Sequence, residues 1–124
     1  MALNDVYFFD SYAIIEMILG SKNYVKYKNS EIVTTKNNLF EVVYWLLRCY
    51  SEKEAVEFIK KYYPYVVDFD ESVIVNAAAL RLKYKKKRLS MVDCIGYTVA
   101  ESWSVPFLTG DKEFEQFENV EFVK

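Results

Sequence analysis

The chain has 124 residues and a mass of 14.7 kDa, and 52% of its residues are hydrophobic, which suits one domain with a substantial core. Its 16 basic and 18 acidic residues give a formal net charge of -2, which excludes a polycation that coats nucleic acid non-specifically. Histidine is absent, which excludes Ser-His-Asp and Cys-His nucleophile sites, His-ligated zinc and imidazole proton shuttles. Any catalysis must therefore use carboxylates, hydroxyls, lysines or a bound cofactor.

The cysteines and the N-terminus favour a cytoplasmic protein. Cys49 and Cys94 are far apart and unpaired in the sequence, which is typical of a reducing compartment. The chain does not open with a basic stretch followed by an apolar run, so we expect no signal peptide. Charged residues interrupt every long apolar stretch, so we expect no membrane span.

The first half of the chain alternates predicted strands and helices. A short aromatic and β-branched run predicts a buried parallel strand at 6–9, and a helix follows over 11–19 and ends at Gly20. A short helix over 24–28 and a strand at 31–34 come next. A longer helix over 36–50 presents one apolar face, made of Leu39, Val43, Leu46, Leu47 and Tyr50. A further helix over 52–62 begins after Ser51 and ends before Pro64.

The second half continues the alternation. The sequence predicts a third strand at 65–69, a helix over 71–85, a helix over 90–104, and strands at 106–109 and 120–123. The predicted inward residues of these two helices are Ile74, Ala77, Ala78 and Leu82, then Ile95, Val99 and Trp103. Strands that alternate with helices predict a single α/β domain over residues 1–124, a three-layer sandwich with a parallel five-stranded sheet between two helical layers.

Four acidic residues lie where this fold class places its sites, beyond the carboxyl ends of the strands. Asp10 directly follows the first strand, and Asp111 follows the fourth after one glycine. Asp93 lies in the first turn of the helix that begins at Ser90, and Glu41 lies in the second turn of the helix after the second strand. We therefore expect these carboxylates to converge at one edge of the sheet.

Each acid also has a purely structural interpretation. Asp10 suits the N-cap of the first helix, and Ser90-Met91-Val92-Asp93 matches the capping-box pattern. Asp111 suits a turn, and Glu41 suits a solvated helix face. Taken together, however, carboxylates crowded at one edge repel each other unless a cation neutralises them. Without histidine or paired cysteines, such an oxygen-only site selects Mg²⁺ or Mn²⁺ and supports phosphoryl chemistry.

Four segments of the chain resemble the four sequence motifs of PIN domains, in the same order and on the expected elements. They are residues 7–13 (YFFDSYA), 38–41 (NLFE), 89–94 (LSMVDC) and 107–114 (FLTGDKEF). The resemblance extends over essentially the whole chain. It implies a parallel five-stranded sheet and a ribonuclease that depends on Mg²⁺ or Mn²⁺. Small members of this size resemble the toxins of VapBC-type toxin–antitoxin pairs, which implies a homodimer bound by an antitoxin protein.

The resemblance also implies roles for individual residues. Asp10, Glu41 and Asp93 match the three principal metal-binding acids, and Asp111 matches a fourth, more variable acid. Ser11 and Thr109 match hydroxyl positions beside the site that can orient water or phosphate. Ser90 is a further candidate for an auxiliary or substrate-binding residue. Two nearby acids, Glu113 and Glu115, remain alternatives for the role of Asp111. We expect hydrolysis of a P–O bond in single-stranded or loop RNA.

The basic run at 83–88, together with Arg81, has two interpretations. It suits a solvated helix C-terminus, where cations complement the helix dipole. It also suits a phosphate-binding rim, because the run leads into the helix that carries Asp93. Under the second interpretation we expect Lys86, Lys87 and Arg88 to contact the RNA substrate.

The surface chemistry leaves partners and alternative functions open. Aromatic residues that suit either base stacking or a protein interface are Tyr44, Trp45, Tyr62, Tyr63 and Tyr65. The helix segment 39–47 is apolar nearly all round, which indicates burial against a second subunit or an antitoxin. One alternative is a non-catalytic PIN-like module that binds RNA or protein. A receiver-type signalling domain is another, but it expects an adjacent acidic pair after the first strand, where this chain has Asp10 and Ser11.

Overall fold

The structure, a computed structural model, describes residues 5–124 and confirms the predicted α/β class. Its strands are β1 (Val6–Phe9), β2 (Glu31–Val33), β3 (Phe107–Thr109) and β4 (Val120–Phe122). Its α-helices are α1 (Ser11–Leu19), α2 (Lys36–Cys49), α3 (Glu52–Tyr62), α4 (Glu71–Lys83) and α5 (Met91–Ser102). Short 3₁₀ segments cover Lys22–Tyr27, Tyr63–Tyr65 and Lys112–Phe114. Within residues 5–124 the strands form one parallel sheet in the order β2-β1-β3-β4.

Two adjacent residues of β1 explain the three layers. Phe8 and Phe9 are both fully buried, but successive side chains of a strand point to opposite faces of the sheet. Phe8 packs with Phe107 of β3 in the core beneath α4 and α5. Phe9 packs with Leu108 in a second core against α1, α2 and α3. The predicted three-layer sandwich is therefore confirmed.

Polar side chains define where the α-helices begin. In each helix an N-cap oxygen accepts a hydrogen bond from a backbone N–H of the first turn, and the caps are Asp10, Thr35, Ser51, Asp70 and Ser90. A cap of this kind contributes about 1 kcal/mol. The first helix ends at Gly20 with a φ of +68°, a left-handed conformation that glycine adopts without strain. None of the helices formed by residues 5–124 has the length and apolar character needed to cross a bilayer.

The predicted strand at 65–69 is wrong, so the described sheet has four strands and not five. Pro64 lies in a 3₁₀ turn that includes Tyr65, and Val66 forms a single bridge with Thr34. Thr34 accepts a hydrogen bond from the Val67 N–H and donates its own N–H to Tyr65. The pairing stops there because the residue after Thr34 is already the N-cap of α2. The backbone that follows Thr34 therefore turns away and cannot pair with residues 67–69.

The predicted inward faces of three helices are partly wrong, and in two of them, α2 and α4, the reason is that the helix is apolar on more than one side. In α2, Val42 lies in the core, whereas Leu47 is 51% exposed. In α4, Val73 and Ala77 are buried, whereas Ile74 is 55% exposed. Tyr50, Leu82 and Trp103, which were also predicted to face inward, are exposed. The exposed apolar side chains form surfaces that the described chain itself does not cover.

Candidate active site

The parallel pairing of β1 with β3 brings two of the predicted acids to one edge of the sheet. Phe9 pairs with Leu108, and the Asp10 N–H donates to the Leu108 carbonyl oxygen at 3.3 Å. The residues that follow these strands are therefore neighbours, which places Asp10 beside the turn that carries Asp111.

Asp10 is the most buried of the four predicted acids, with 5% of its surface exposed. Its Oδ1 atom accepts the Ala13 N–H at 2.8 Å, so the predicted N-cap role is confirmed. Burial raises the pKa of the Asp10 carboxyl to about 8, and the nearby carboxylates of Asp93 and Asp111 raise it further, whereas hydrogen bonds from Thr109 and Ala13 oppose the rise. An acid in this setting favours a nearby positive charge.

Asp93 combines a structural role with proximity to the other acids. It forms the predicted capping box, in which Asp93 Oδ2 accepts the Ser90 N–H at 2.9 Å and Ser90 Oγ accepts the Asp93 N–H at 3.0 Å. Burial raises the pKa of Asp93 to about 6, the bonds to Ser90 oppose the rise, and the charges of Asp111 and Glu41 add to it. The capping box thus fixes Asp93 without removing it from the group of acids.

Asp111 is held by a local turn that distinguishes it from the two nearby glutamates. Its N–H donates to Thr109 Oγ1, and its Oδ1 atom accepts the Glu113 N–H, both at 3.0 Å. The Glu113 carboxylate instead accepts the backbone N–H of Arg88 at 3.3 Å, and Lys87 Nζ lies 3.9 Å from it. Glu115 is exposed. These contacts favour Asp111 as the fourth acid, because Glu113 is instead bound to the basic run at 83–88.

Glu41 is joined to the edge of the sheet through two polar side chains. Ser11 Oγ donates to Glu41 Oε1 at 2.5 Å, and Asn38 Nδ2 donates to Ser11 Oγ at 3.1 Å. Asn38 Oδ1 in turn accepts the Thr35 hydroxyl at 2.6 Å. Sequence reasoning assigned no role to Asn38 or Thr35. The available signal was an amide at a position of α2 whose neighbours, Leu39 and Val42, are core residues.

The four carboxylates come from four separate segments. The charges of Asp111 and Glu41 raise the pKa of Asp93, and the charge of Asp93 raises the pKa of Asp10. Within residues 5–124, no three acidic or cysteine side chains are arranged to hold one metal ion by direct contact. Mg²⁺ commonly keeps several waters and binds through one or two carboxylates. The oxygen-only donors and their mutual repulsion therefore fit a hydrated hard cation, and they do not form a closed cage of protein ligands.

The basic run lies in the turn between α4 and α5, because α4 ends at Lys83, two residues earlier than predicted. Lys86 and Arg88 are exposed, and Lys87 lies 5.7 Å from the centre of the Phe117 ring. Through its contacts with Glu113, this turn is attached to the segment that carries Asp111. The basic residues are therefore held next to the segment that carries Asp111.

Three of the solved structures that are similar to this chain illustrate the likeness, and each has nearly the same length as this chain. A toxin–antitoxin complex from Klebsiella pneumoniae is 17% identical over 93% of this chain and 95% of that chain, with a TM-score of 0.73. VapBC2 from Rickettsia felis, bound to a DNA fragment from its promoter, is 17% identical over 95% and 97%, with a TM-score of 0.72. VapC20 from Mycobacterium tuberculosis, described as a toxin that cleaves the sarcin-ricin loop, is 15% identical over 96% and 97%, with a TM-score of 0.75.

At these identities the structural likeness establishes the fold alone. A search of curated protein sequences gave no match. The family model described as "PIN domain" matches residues 7–120, which include all four acids and all but one residue of β1. Since this match spans far more than half of the 124 residues, the chain belongs to the PIN-domain family.

Proposed function

We propose that this protein is a metal-dependent endoribonuclease and the toxin of a toxin–antitoxin pair. The observation that carries the proposal is the Asp10 carboxyl, whose pKa is raised by burial and by the charges of Asp93 and Asp111, while the charges of Asp111 and Glu41 act in the same way on Asp93. Folded proteins rarely retain such a cluster without a compensating cation. Membership in the PIN family argues against the receiver-type alternative.

In this proposal Asp10, Asp93 and Asp111 would hold a hydrated Mg²⁺ or Mn²⁺, in part through the water ligands of the ion, and Glu41 would bind a second ion or orient the attacking water. The bound cation supplies Lewis-acid stabilisation of the phosphate charge and lowers the pKa of water. The Ser11 hydroxyl fixes Glu41 through Oε1, which leaves Oε2 to accept a hydrogen bond from the water. Lys86, Lys87 and Arg88 contact the RNA phosphates, and the hydroxyls of Ser90 and Thr109 hold Asp93 and Asp111 in place.

The test is cleavage of a labelled RNA hairpin by the purified protein with Mg²⁺, with Mn²⁺ or with EDTA. We expect cleavage that requires the cation and is lost in Asp10→Asn and Asp93→Asn. Asp70→Asn is the matched control, because Asp70 also caps a helix, α4, and is not one of the four acids. If Asp10→Asn folds and retains full metal-dependent activity, the assignment is wrong. If calorimetry shows that the wild-type protein binds neither cation, the non-catalytic module replaces the nuclease.

The antitoxin partner is supported by an apolar groove between α2 and α3 with a volume of about 690 Å³. Phe40, which lines it, is 74% exposed, and other apolar lining residues are Leu39, Val43, Leu47, Val56 and Ile59. An amphipathic helix of a partner buries apolar side chains in a groove of this kind. We expect the product of an adjacent reading frame to co-purify with this chain and to be lost in Phe40→Asp.

The homodimer expected from the resemblance is supported by a second apolar surface, on α4 and the start of α5. Its exposed side chains are Ile74, Leu82 and Met91. Light scattering tests this proposal, with a dimer mass expected for the wild type and a monomer mass for Ile74→Asp. Each substitution is the control for the other, because Ile74→Asp leaves the groove intact and Phe40→Asp leaves the α4 surface intact. A monomeric wild type contradicts the dimer.

A further inference from the structure

Asn38 is a polar residue at a core position of α2, with 2% of its surface exposed. Burying an amide is costly unless its donors and acceptor are satisfied. Within residues 5–124 every buried side-chain nitrogen and oxygen has at least one partner, and both polar atoms of the Asn38 amide form a hydrogen bond. A leucine or alanine would fill this core position and would need no hydrogen-bond partners. The presence of asparagine therefore indicates a role that depends on its amide group.

Capping of α2 is not that reason. Thr35 Oγ1 already caps the helix by accepting the backbone N–H of Asn38 at 3.3 Å. The Asn38 side chain is a separate link, which accepts the Thr35 hydroxyl at Oδ1 and donates from Nδ2 to Ser11 Oγ. It therefore connects the N-terminal turn of α2 to the first residue of α1.

The direction of these hydrogen bonds decides what the link does. Because the Asn38 amide donates to Ser11 Oγ, the serine proton points away from Asn38 and toward Glu41 Oε1, which it reaches at 2.5 Å. A flipped amide would place Oδ1 against Ser11 and take the hydroxyl proton away from Glu41. The Thr35 hydroxyl, which donates to Oδ1 at 2.6 Å, favours the observed orientation.

We infer that Asn38 is a positioning residue that directs the Ser11 hydroxyl at Glu41 and so fixes the orientation of the Glu41 carboxylate at the site. This inference rests on the proposed nuclease function. Groups one step behind metal-binding side chains typically change metal affinity or activity about 10- to 100-fold when removed. Asn38 does not touch the substrate in this scheme, and its effect passes through Ser11 and Glu41.

The experiment compares Asn38→Ala and Ser11→Ala, each alone and in a Glu41→Gln background. The readouts are kcat and KM for RNA cleavage and, independently of activity, equilibrium binding of Mn²⁺ followed by electron paramagnetic resonance. Thr98→Val is the matched control, since it also removes a buried side-chain hydrogen bond, from Thr98 Oγ1 to the Cys94 carbonyl at 2.8 Å. Urea unfolding of each variant accounts for lost stability.

We expect Asn38→Ala to lower kcat about tenfold or more with KM unchanged and to weaken Mn²⁺ binding, and Ser11→Ala to do the same. In the Glu41→Gln background, Asn38→Ala causes no further loss, because the carboxylate through which Asn38 acts is already gone. Thr98→Val loses stability but keeps wild-type kcat and Mn²⁺ binding.

Several outcomes contradict the inference. An active wild type combined with an Asn38→Ala variant of unchanged kcat and Mn²⁺ affinity overturns it and leaves the nuclease proposal standing. So does an undiminished effect of Asn38→Ala in the Glu41→Gln background. If Asn38→Ala fails to fold, the Ser11→Ala variant tests the inference in its place. Unchanged Mn²⁺ binding in Ser11→Ala then overturns the inference. A wild type that neither binds Mn²⁺ nor cleaves RNA removes the proposed function and the inference together.

Discussion

Replacing Asp10 with asparagine should stabilise the metal-free protein, and increasingly so as the pH rises. Asparagine keeps the oxygen that caps α1, so the bond from the Ala13 N–H at 2.8 Å is preserved. What the substitution removes is a carboxylate whose charged form is opposed by burial and by the charges of Asp93 and Asp111.

The size of the effect follows from the pKa of Asp10, which is about 8 in the folded protein and has an ordinary value of 3.8. Between these two values the folded protein holds a proton that the unfolded chain has released, so the free energy of unfolding falls as the pH rises. From pH 5 to pH 9 the wild type loses about 4 kcal/mol from this group, because each pKa unit corresponds to about 1.4 kcal/mol. The asparagine variant has no such dependence at this position.

Urea unfolding in EDTA at pH 5, 7 and 9 measures this difference. The stability gap between Asp10→Asn and the wild type should widen by about 4 kcal/mol across that range, and Mn²⁺ should narrow it by binding the wild-type carboxylates. Asp70→Asn serves as control, because a hydrogen bond from Ser72 lowers the pKa of Asp70 and removing that carboxylate gives no gain at high pH. Stability curves that run parallel for Asp10→Asn and the wild type between pH 5 and pH 9 would refute the reasoning.

Three further predictions concern packing, substrate binding and the α5 cap. Gly110→Ala should destabilise the fold by about 3 kcal/mol or more in urea unfolding, since an added Cβ would lie 2.2 Å from the Tyr12 ring; wild-type stability would contradict this packing. Lys85→Ala combined with Lys86→Ala should weaken RNA binding about equally for all RNA sequences and should reduce the slope of log affinity against log salt concentration by about 2, as measured by fluorescence anisotropy. An unchanged slope would show that these lysines do not contact the RNA phosphates. Ser90→Ala should cost about 1 kcal/mol of stability and also lower the cleavage rate, whereas a loss of stability alone would limit the capping box to a structural role.

The elements that position the acids could be predicted because their signals are local. Phe8 and Phe9 lie in a short apolar run that ends at an acid, and Ser90 with Asp93 forms a recognisable capping box. The boundaries of β1, α1 and α3 agree with the predicted ones at both ends. Asp10 and Asp111 could be placed together because strand ends of a parallel sheet share an edge.

Other features depended on contacts that periodicity does not encode. The segment after Pro64 has the composition of a strand, but the partner backbone turns away after Thr34 and leaves a single bridge. The exposed side of α4 could not be identified because Val73 and Ile74 are equally apolar, and only tertiary packing buries the first. The role of Asn38 depends on the orientation of a side-chain amide toward a serine 27 positions away in sequence.

The pairing of β1 with β3 has a consequence for the order in which the chain folds. Phe8 pairs with Phe107, so most of the chain must be synthesised before the centre of the sheet can close. Contacts between such distant positions form slowly, because the entropy of closing a long loop opposes them. Until they form, Asp10 and Asp111 remain apart. A nascent chain that has already folded α1 to α3 therefore lacks the assembled cluster of acids, and the nuclease activity that we propose should begin only after the β3 segment has emerged and paired.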